Sequence, residues 1–584
     1  MAKYYLIELD IKDGKYSVSK HPKYSSEEDT KQDLENKNVV YIYRGSKSKK
    51  VYIGQTQHFR TRHNAHYSGK EEKFNTADFD QAIVIVSQYF DVSAILDVEA
   101  KLITFFSSEY DMKGMVSFDE EVLNRVGGHS VNPYPERKNV DSEVILPLWK
   151  ELYSKGWVFT KTLEELRKNV LVKYSPFLEP TEQQLSIIED IMESRDSSFV
   201  INGDAGTGKT VMLTHLTARF LNERSTDRIA VVVRSNWVKN AEHIFEVYGM
   251  RNLSNLTVTT PYKLVASDEK YDVIIVDEAH QLPRSYGKAG GEINKFFKHN
   301  SGYETYLERI QELGHQVVLM YDVLQYTRPL CMTREMFMEL TKDYTKPEPL
   351  RTQFRIKAEG RSYSSEDYIN GIKFLLFKDT GLLETGYTNF DPNFNRDVFR
   401  DPDVNAYFGY FEDQPLHQML EWLDHDRNHN SEHSNRVLSG YVEEWPAKTR
   451  KDPSVKHFHE GDIHMRWNST HVDWLNVKDE DANEQVGSYF AVQGLDLNCV
   501  GVLIGGDIRV NEKGKLEANP EMIKDDKGVF KKADMELPES NEELTLLILN
   551  IYYILLTRGI DGIRVGTWHN PEFLDYMKKT LEIM

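Results

Sequence analysis

Phe199-Val-Ile-Asn-Gly-Asp-Ala-Gly-Thr-Gly-Lys-Thr210 passes from an apolar run through a glycine-rich turn into the start of a helix. Gly203 to Thr210 fits G-x-x-x-x-G-K-[ST], a loop in which glycines let backbone N–H groups approach phosphates. In that pattern Gly203, Gly206 and Gly208 shape the cradle, Lys209 reaches the β- and γ-phosphates, and the Thr210 hydroxyl holds Mg2+. The flanks agree. Phe199, Val200 and Ile201 lead in as a buried strand, and Val211, Met212, Leu213 and Leu216 continue as a helix whose N-terminus favours an anion. The loop predicts a nucleotide site, and the rest of the chain has to say what the nucleotide drives.

Downstream, Arg228 to Val233, Leu256 to Thr260 and Tyr271 to Val276 read as strands alternating with helical stretches, the pattern of a parallel αβα sheet. Asp277-Glu-Ala-His280 stands at the C-terminal end of the third, the side on which such sheets bind ligands. Placement gives Asp277 to Mg2+ through water, Glu278 to the attacking water and His280 to coupling. His315 to Asp322 repeats the theme of a strand ending in an acid, with Gln325 close behind.

At 584 residues the chain is too long for one core and is expected to hold three to five domains. Its 40% hydrophobic and 28% charged content are those of a globular protein. No apolar run is long enough to span a bilayer, and Glu8 and Asp10 fall where a signal peptide is uncharged, so a cytoplasmic location is expected. Cys331 and Cys499, far apart in sequence, support neither a disulfide framework nor a thiolate zinc site. A net charge of -20 argues against coating nucleic acid by bulk electrostatics. Yet from Lys37 to Lys70 there is no Asp or Glu, while Arg44, Lys47, Lys49, Lys50, Arg60 and Arg62 fall inside.

That basic island carries a second pattern. Val39 to Tyr43 and Lys50 to Gly54 are β-branched and aromatic runs joined as a hairpin, setting Tyr41 and Tyr52 on neighbouring strands. Arg62 and His66 follow at i, i+4 and share a helix face. Ser93 to Ser107 is helical in its apolar spacing, and Glu99 sits on the apolar face, costly unless a partner such as a metal ion is present. Asn124 precedes a glycine turn.

Residues 38–130 resemble the GIY-YIG endonuclease family: Tyr52-Ile53-Gly54 is intact, whereas Val39-Val40-Tyr41 lacks the first glycine. The resemblance implies Tyr41 or Tyr52 as base, Arg62 as charge stabiliser, His66 and Asn124 as further catalytic positions, and Glu99 as ligand for one Mg2+ or Mn2+. Residues from about 178 resemble a Schlafen-group-3-type superfamily 1 ATPase/helicase. That likeness implies Gln184 at the adenine edge and Asp322 with Gln325 sensing the γ-phosphate. It further implies Arg355 and Arg558 as cationic contacts across the cleft, and Gln493, Gly494 and Asp496 linking nucleotide to nucleic acid. Residues 424–434 are dense in His and Asp but lack zinc spacing and read as a solvated loop.

The expected fold is α/β: a strand and linker over 1–37, a small α+β nuclease domain over 38–130 and a helical connector over 131–177. Two RecA-like αβα domains follow over 178–345 and 346–584, the second with insertions. The expected activity is an ATP-dependent helicase or translocase tied to a metal-dependent endonuclease, acting on DNA in preference to RNA, with ATP and Mg2+ as cofactors and Mg2+ or Mn2+ at the nuclease site, and employed in defence against phage. The alternatives are an ATP-switched nucleic-acid sensor with an inactive nuclease-like domain, or an RNA-directed nuclease-helicase.

Overall fold

The computed structural model describes residues 3–583 apart from 23–25, 69–73, 111–114, 119–133, 168, 178–179, 249, 251, 287–290, 358–360, 385–387, 432, 447, 449–451, 471–473, 475–482, 493–495, 526–527 and 531–533. By its contacts the chain divides into two units. One comprises Met1–Arg195, Thr210–Thr259 and Tyr271–Val273; the other comprises Asp196–Lys209, Thr260–Lys270 and Ile274–Met584.

The first unit opens with a six-stranded sheet built from β1 (Tyr4–Lys12), β2 (Lys15–Lys20), β3 (Val39–Arg44), β4 (Val51–Thr56), β5 (Gln81–Ser87) and β6 (Val116–Phe118). Its order is β2-β1-β5-β3-β4-β6, antiparallel except for the parallel pair β4 and β6. The tyrosines of β3 and β4 pack with Phe59, Phe74 and Phe79 and with Ile7 and Leu9 of β1 in one aromatic core. The helix Val92–Tyr110 packs on β3, β4 and β6. Within the stretch expected as linker, Lys15–Lys20 instead forms β2 and Glu27–Asn36 a helix, whose Ser26 and Asp29 make a capping box. Their polarity is that of an exposed edge strand and a surface helix, which is why they read as unstructured. Short helical segments between Arg137 and Lys173 follow.

Strands β7 (Phe199–Asn202), β8 (Ile229–Val232), β9 (Leu256–Thr259), β10 (Tyr271–Val276) and β11 (Gly314–Tyr321) make a sheet of order β7-β11-β10-β8-β9, through which the division into units passes. The pairs β7 with β11 and β8 with β9 are parallel. The strands β7, β8, β10 and β11 are largely buried runs rich in Val, Ile and Leu, as a sheet covered by helices requires, while the edge strand β9 is only partly buried.

The second unit holds a larger sheet as well. Its strands are β12 (Phe408–Phe411), β13 (Arg436–Ser439), β14 (Phe458–Glu460), β15 (Ile463–Trp467), β16 (Gln485–Ser488), β17 (Leu497–Ile504) and, after a small hairpin of β18 (Ile508–Val510) and β19 (Leu516–Ala518), β20 (Gly559–Thr567). The order is β12-β20-β17-β13-β16-β15-β14, parallel apart from the terminal β14–β15 pair. Two parallel sheets bordered by helices are the α/β architecture expected of paired RecA-like domains. The stretch 424–434 departs from expectation: residues up to His429 belong to the helix Pro415–His429, and Asn435 just beyond is fully buried.

Candidate nuclease and nucleotide sites

In the first unit, β3 and β4 set Tyr41 opposite Gly54 across the ladder. A Cβ at Gly54 would lie 2.4 Å from the Tyr41 hydroxyl oxygen, so any side chain there would push the tyrosine off its partners. Those partners come from the helix Phe59–His66. The Tyr41 hydroxyl lies 2.8 Å from His66 Nε2, and Arg62 Nε donates to it at 3.4 Å. Because guanidinium only donates, the Tyr41 oxygen accepts from Arg62, while the direction of its bond with His66 Nε2 depends on the imidazole tautomer. The Tyr52 ring stacks on that of Tyr41 at 6.4 Å and meets the His66 ring edge-on at 4.9 Å. Val39, where the family's first glycine would stand, is a fully buried member of the same core.

Burial, reinforced by the charges of Arg62 and His63, pushes His66 down to about 3. An imidazole that weakly basic holds no proton near neutrality, so its part is to orient Tyr41. Two consequences are measurable. Cutting is expected to show no imidazole step near pH 6.5 that disappears in His66→Gln. Stability is expected to depend on pH in a defined sense: between about 3 and 6.5 the unfolded chain binds the proton that the folded site refuses. The module therefore loses stability as pH falls below 6.5 and is unaffected by this group above it. Amide exchange across residues 39–66 at pH 7.5 and pH 5 checks the second point, with His66→Gln flattening the difference.

Glu99 is buried at 1% exposure on the helix Val92–Tyr110, between Ile95 and Leu102 along its inward side. Asn124 lies outside the described residues. A second tyrosine–histidine pair escaped the sequence reading: the Tyr43 hydroxyl is 2.9 Å from His63 Nδ1, whose Nε2 faces the Gly14 carbonyl at 3.2 Å. The basic island is partly neutralised by acids from outside it, Arg60 pairing with Glu35 at 2.6 Å and Lys50 with Asp78 at 2.8 Å.

In the second unit the loop after β7 curls over its own lysine. Gly206 and Gly208 adopt positive φ of 84° and 81°. Lys209 Nζ donates to the Gly203 carbonyl and, at 2.9 Å, to that of Asp204, and stands 3.6 Å from Asp322 at the end of β11. Asp322 also accepts from Gln325 Nε2 at 2.5 Å, so lysine, acid and glutamine converge. Thr210, half-buried, is the second residue of the helix Lys209–Glu223. At the tip of β10, Asp277 Oδ1 accepts from the Glu278 backbone N–H at 3.0 Å. Glu278 takes a left-handed φ of 52°, unusual outside glycine, and its carboxylate lies 2.9 Å from Nε2 of buried His280. Backbone in that rare region concentrates at functional sites.

The segment leading to Arg355 is laid along this loop. Leu350 N–H donates to Asn202 O at 2.8 Å, Gln353 Nε2 to Ala205 O at 2.7 Å and Phe354 N–H to Gly206 O at 3.0 Å. Glycine at 206 is required by its φ of 84°, and a Cβ there would also displace the tip of the Gln353 side chain. The Arg355 guanidinium donates to Asp496 Oδ1 at 2.6 Å and to the Thr557 carbonyl at 3.1 Å, which brings it next to the backbone of Arg558. Arg558 itself is buried, immediately before β20. Gln184 lies in the other unit, where its amide oxygen accepts from Thr181 N–H and caps the helix Glu182–Glu193. Gln493 and Gly494 lie outside the described residues.

Lys373 was also missed. It is fully buried, donating to Asp204 Oδ2 at 2.5 Å and to the Asn389 carbonyl at 2.7 Å. Burial raises the Asp204 carboxyl, and the Lys373 ammonium works against that rise. The signal was available: a single lysine within Tyr368-Ile-Asn-Gly-Ile-Lys-Phe-Leu-Leu-Phe377 requires an acid. Lys373→Met leaves that acid buried alone and is expected to cost about 3 kcal/mol of stability by denaturant titration. Asp204→Asn in the same chain is expected to recover most of it; additive losses would mean the two do not act as a pair.

A phosphate loop answered by the acid tips of parallel strands is the equipment of a P-loop ATPase, and a hairpin with paired tyrosines, arginine and histidine is that of a small nuclease. The chain belongs to the Schlafen group 3 DNA/RNA helicase family, whose domain model matches residues 196–568, and a GIY-YIG catalytic domain model matches residues 37–111. It is an ATP-binding helicase-type enzyme joined to an endonuclease module. The Saccharomyces cerevisiae protein YPL245W is 26% identical over 402 residues, covering 64% of this chain and 82% of its own. The ATP-dependent helicase YqhH of Bacillus subtilis is 21% identical over 160 residues, covering 23% of this chain and 29% of its own. Among solved structures, Pif1 helicase from Candida albicans is similar at a TM-score of 0.28 and 13% identity, covering 69% of this chain and 98% of that one.

Proposed function

We propose that the enzyme uses ATP hydrolysis to move along or open DNA and cuts its phosphodiester backbone in a metal-dependent reaction at the N-terminal module. The division of labour is a nuclease over 38–130, a connector over 131–177, and motor domains over 178–345 and 346–584. In the motor, Lys209 and Thr210 hold the phosphates and Mg2+, Asp277 supports the ion through water, Glu278 orients the attacking water, and Arg355 and Arg558 stabilise the transferred charge. Arg355 is held by Asp496 in the structure. Nucleotide phosphates would have to compete for it, giving hydrolysis a lever on the second lobe.

At the nuclease site Tyr41, after losing its own proton to solvent, takes as phenolate the proton of the attacking water, Arg62 stabilises the phenolate and charge on phosphorus, and His66 keeps Tyr41 oriented. Glu99 would hold one Mg2+ or Mn2+, whose chemistry is to polarise the phosphate and assist the leaving oxygen. The observation that carries this reading is the Tyr41–His66–Arg62 cluster: all three polar groups meet at one oxygen inside an aromatic core. A cytoplasmic role in defence against phage follows from joining a motor to a cutter. Among the described residues no helix is long and apolar enough to cross a membrane.

End-labelled duplex, fork and single strands of DNA and of RNA, incubated with the full chain, Mg2+ and ATP, test the reading. Cutting of DNA that needs the divalent ion supports it. Cutting confined to RNA, or none with ATPase intact, would overturn it in favour of an RNA-directed enzyme or a sensor. Challenge of cells with and without the gene by phage tests the defence role.

A further inference from the structure

We propose that Asp426, His433 and Cys499 form a binding site for one divalent transition-metal ion of the zinc class, apart from the nucleotide and nuclease residues. A carboxylate, an imidazole and a thiol come from three separate segments: the last turn of the helix Pro415–His429, the loop before β13, and β17. One donor atom from each lies within 4.8 Å of the others. A hydrogen-bonded Asp–His pair is common by itself; a thiol brought to the same point adds the soft donor that, with imidazole and carboxylate, selects zinc over magnesium or calcium.

The surroundings are built as an outer shell. Asp426 receives Asn435 Nδ2 at 2.7 Å and Asn430 Nδ2 at 2.9 Å, which hold the carboxylate in orientation. Buried Asn435 also accepts from the Cys499 backbone N–H at 3.0 Å, so one amide positions two donors. His433 Nδ1 faces Asp426 Oδ2 at 2.8 Å, while Nε2 points toward Asp561 Oδ2 at 3.9 Å, itself fixed by Asn498 at 2.6 Å. An imidazole with one nitrogen at a donor cluster and the other toward a carboxylate is the usual arrangement at a histidine-bound metal. On binding, Nδ1 coordinates in the tautomer carrying its proton on Nε2, and the Cys499 thiol gives its proton to solvent. Three protein donors leave the fourth tetrahedral position to water. The ion would pin the helix end and the loop to the central strands of the sheet.

Cobalt(II) titration of the full chain, stripped of metal with chelator, tests this. The expected result is a near-ultraviolet sulfur-to-cobalt charge-transfer band saturating at one equivalent, absent in Cys499→Ser and retained in Cys331→Ser. Outer-shell losses cost 10–100-fold in affinity, so His433→Ala, the loss of a donor at a partly buried position, should weaken binding at least about a hundredfold. Zinc should displace the band and raise the melting temperature of the wild type. No band from folded wild type, or a band that survives in Cys499→Ser, would overturn the proposal. The wild-type titration decides even if the cysteine variant fails to fold.

Discussion

Replacing Lys209 with alanine is expected to lower ATP hydrolysis at least about a thousandfold. Phosphoryl transfer leaves little covalent work to the protein, and positioned charge supplies nearly all the rate. The Lys209 ammonium is already held inside the cradle by the carbonyls of Gly203 and Asp204, with Asp322 at 3.6 Å as its counter-charge. The loop is thus arranged to present this cation before any phosphate arrives, and alanine removes it where nothing else nearby replaces its reach. Phosphate release measured under saturating ATP checks the prediction. Hydrolysis above a tenth of the wild-type rate would remove Lys209 from the phosphate site. Arginine at the same position keeps the charge but not the compact point donor, so Lys209→Arg is expected to rescue little.

Replacing Glu99 with alanine is expected to abolish cutting, by about a thousandfold or more, with ATP hydrolysis unchanged. A metal's stabilisation of transition-state charge is worth several kcal/mol, and each 1.36 kcal/mol is about tenfold in rate. Glu99 is 1% exposed on a helix whose neighbouring positions are apolar, so its carboxylate is maintained there against the cost of desolvation. Glu99→Gln preserves shape and separates loss of a ligand from loss of packing. Labelled-strand cleavage with and without Mn2+, read alongside phosphate release, is the measurement. Cutting at wild-type rate in both variants would end the assignment. If both Lys209→Ala and Glu99→Ala leave DNA untouched while the wild type binds but never cuts it, the sensor reading takes its place.

Much of this was legible because the informative residues are special for local reasons. Gly203 to Thr210 and Asp277 to His280 announce themselves by being glycines and acids at the ends of apolar strands, where ordinary packing does not put them. Tyr41, Tyr52, Arg62 and His66 were readable as a spacing, and the hairpin and helix bring three of the four to one hydroxyl. What stayed hidden depends on distant partners. Lys373 lies 169 positions from Asp204, and Cys499 is far in sequence from Asp426 and His433. Local reading therefore dismissed residues 424–434 as a solvated loop. Lys15–Lys20 and Glu27–Asn36 were hidden for the opposite reason, since a polar edge strand and a surface helix carry little hydrophobic periodicity.

That N-terminal segment bears on how the nuclease module can be handled in isolation. β1 runs the full length of β5, from Tyr4 opposite Ser87 to Asp10 opposite Gln81, and Lys155 and Glu151 further tie it at Glu8 and Tyr4. A fragment begun at Asn38, at the customary border of such a module, would strip this neighbour away. The ladder groups of Ala82-Ile-Val-Ile-Val86 would then face solvent as a bare, uncharged edge, the kind of strand that recruits a second chain. The opening residues act as a selvedge: they finish the sheet so that it does not fray into its neighbours.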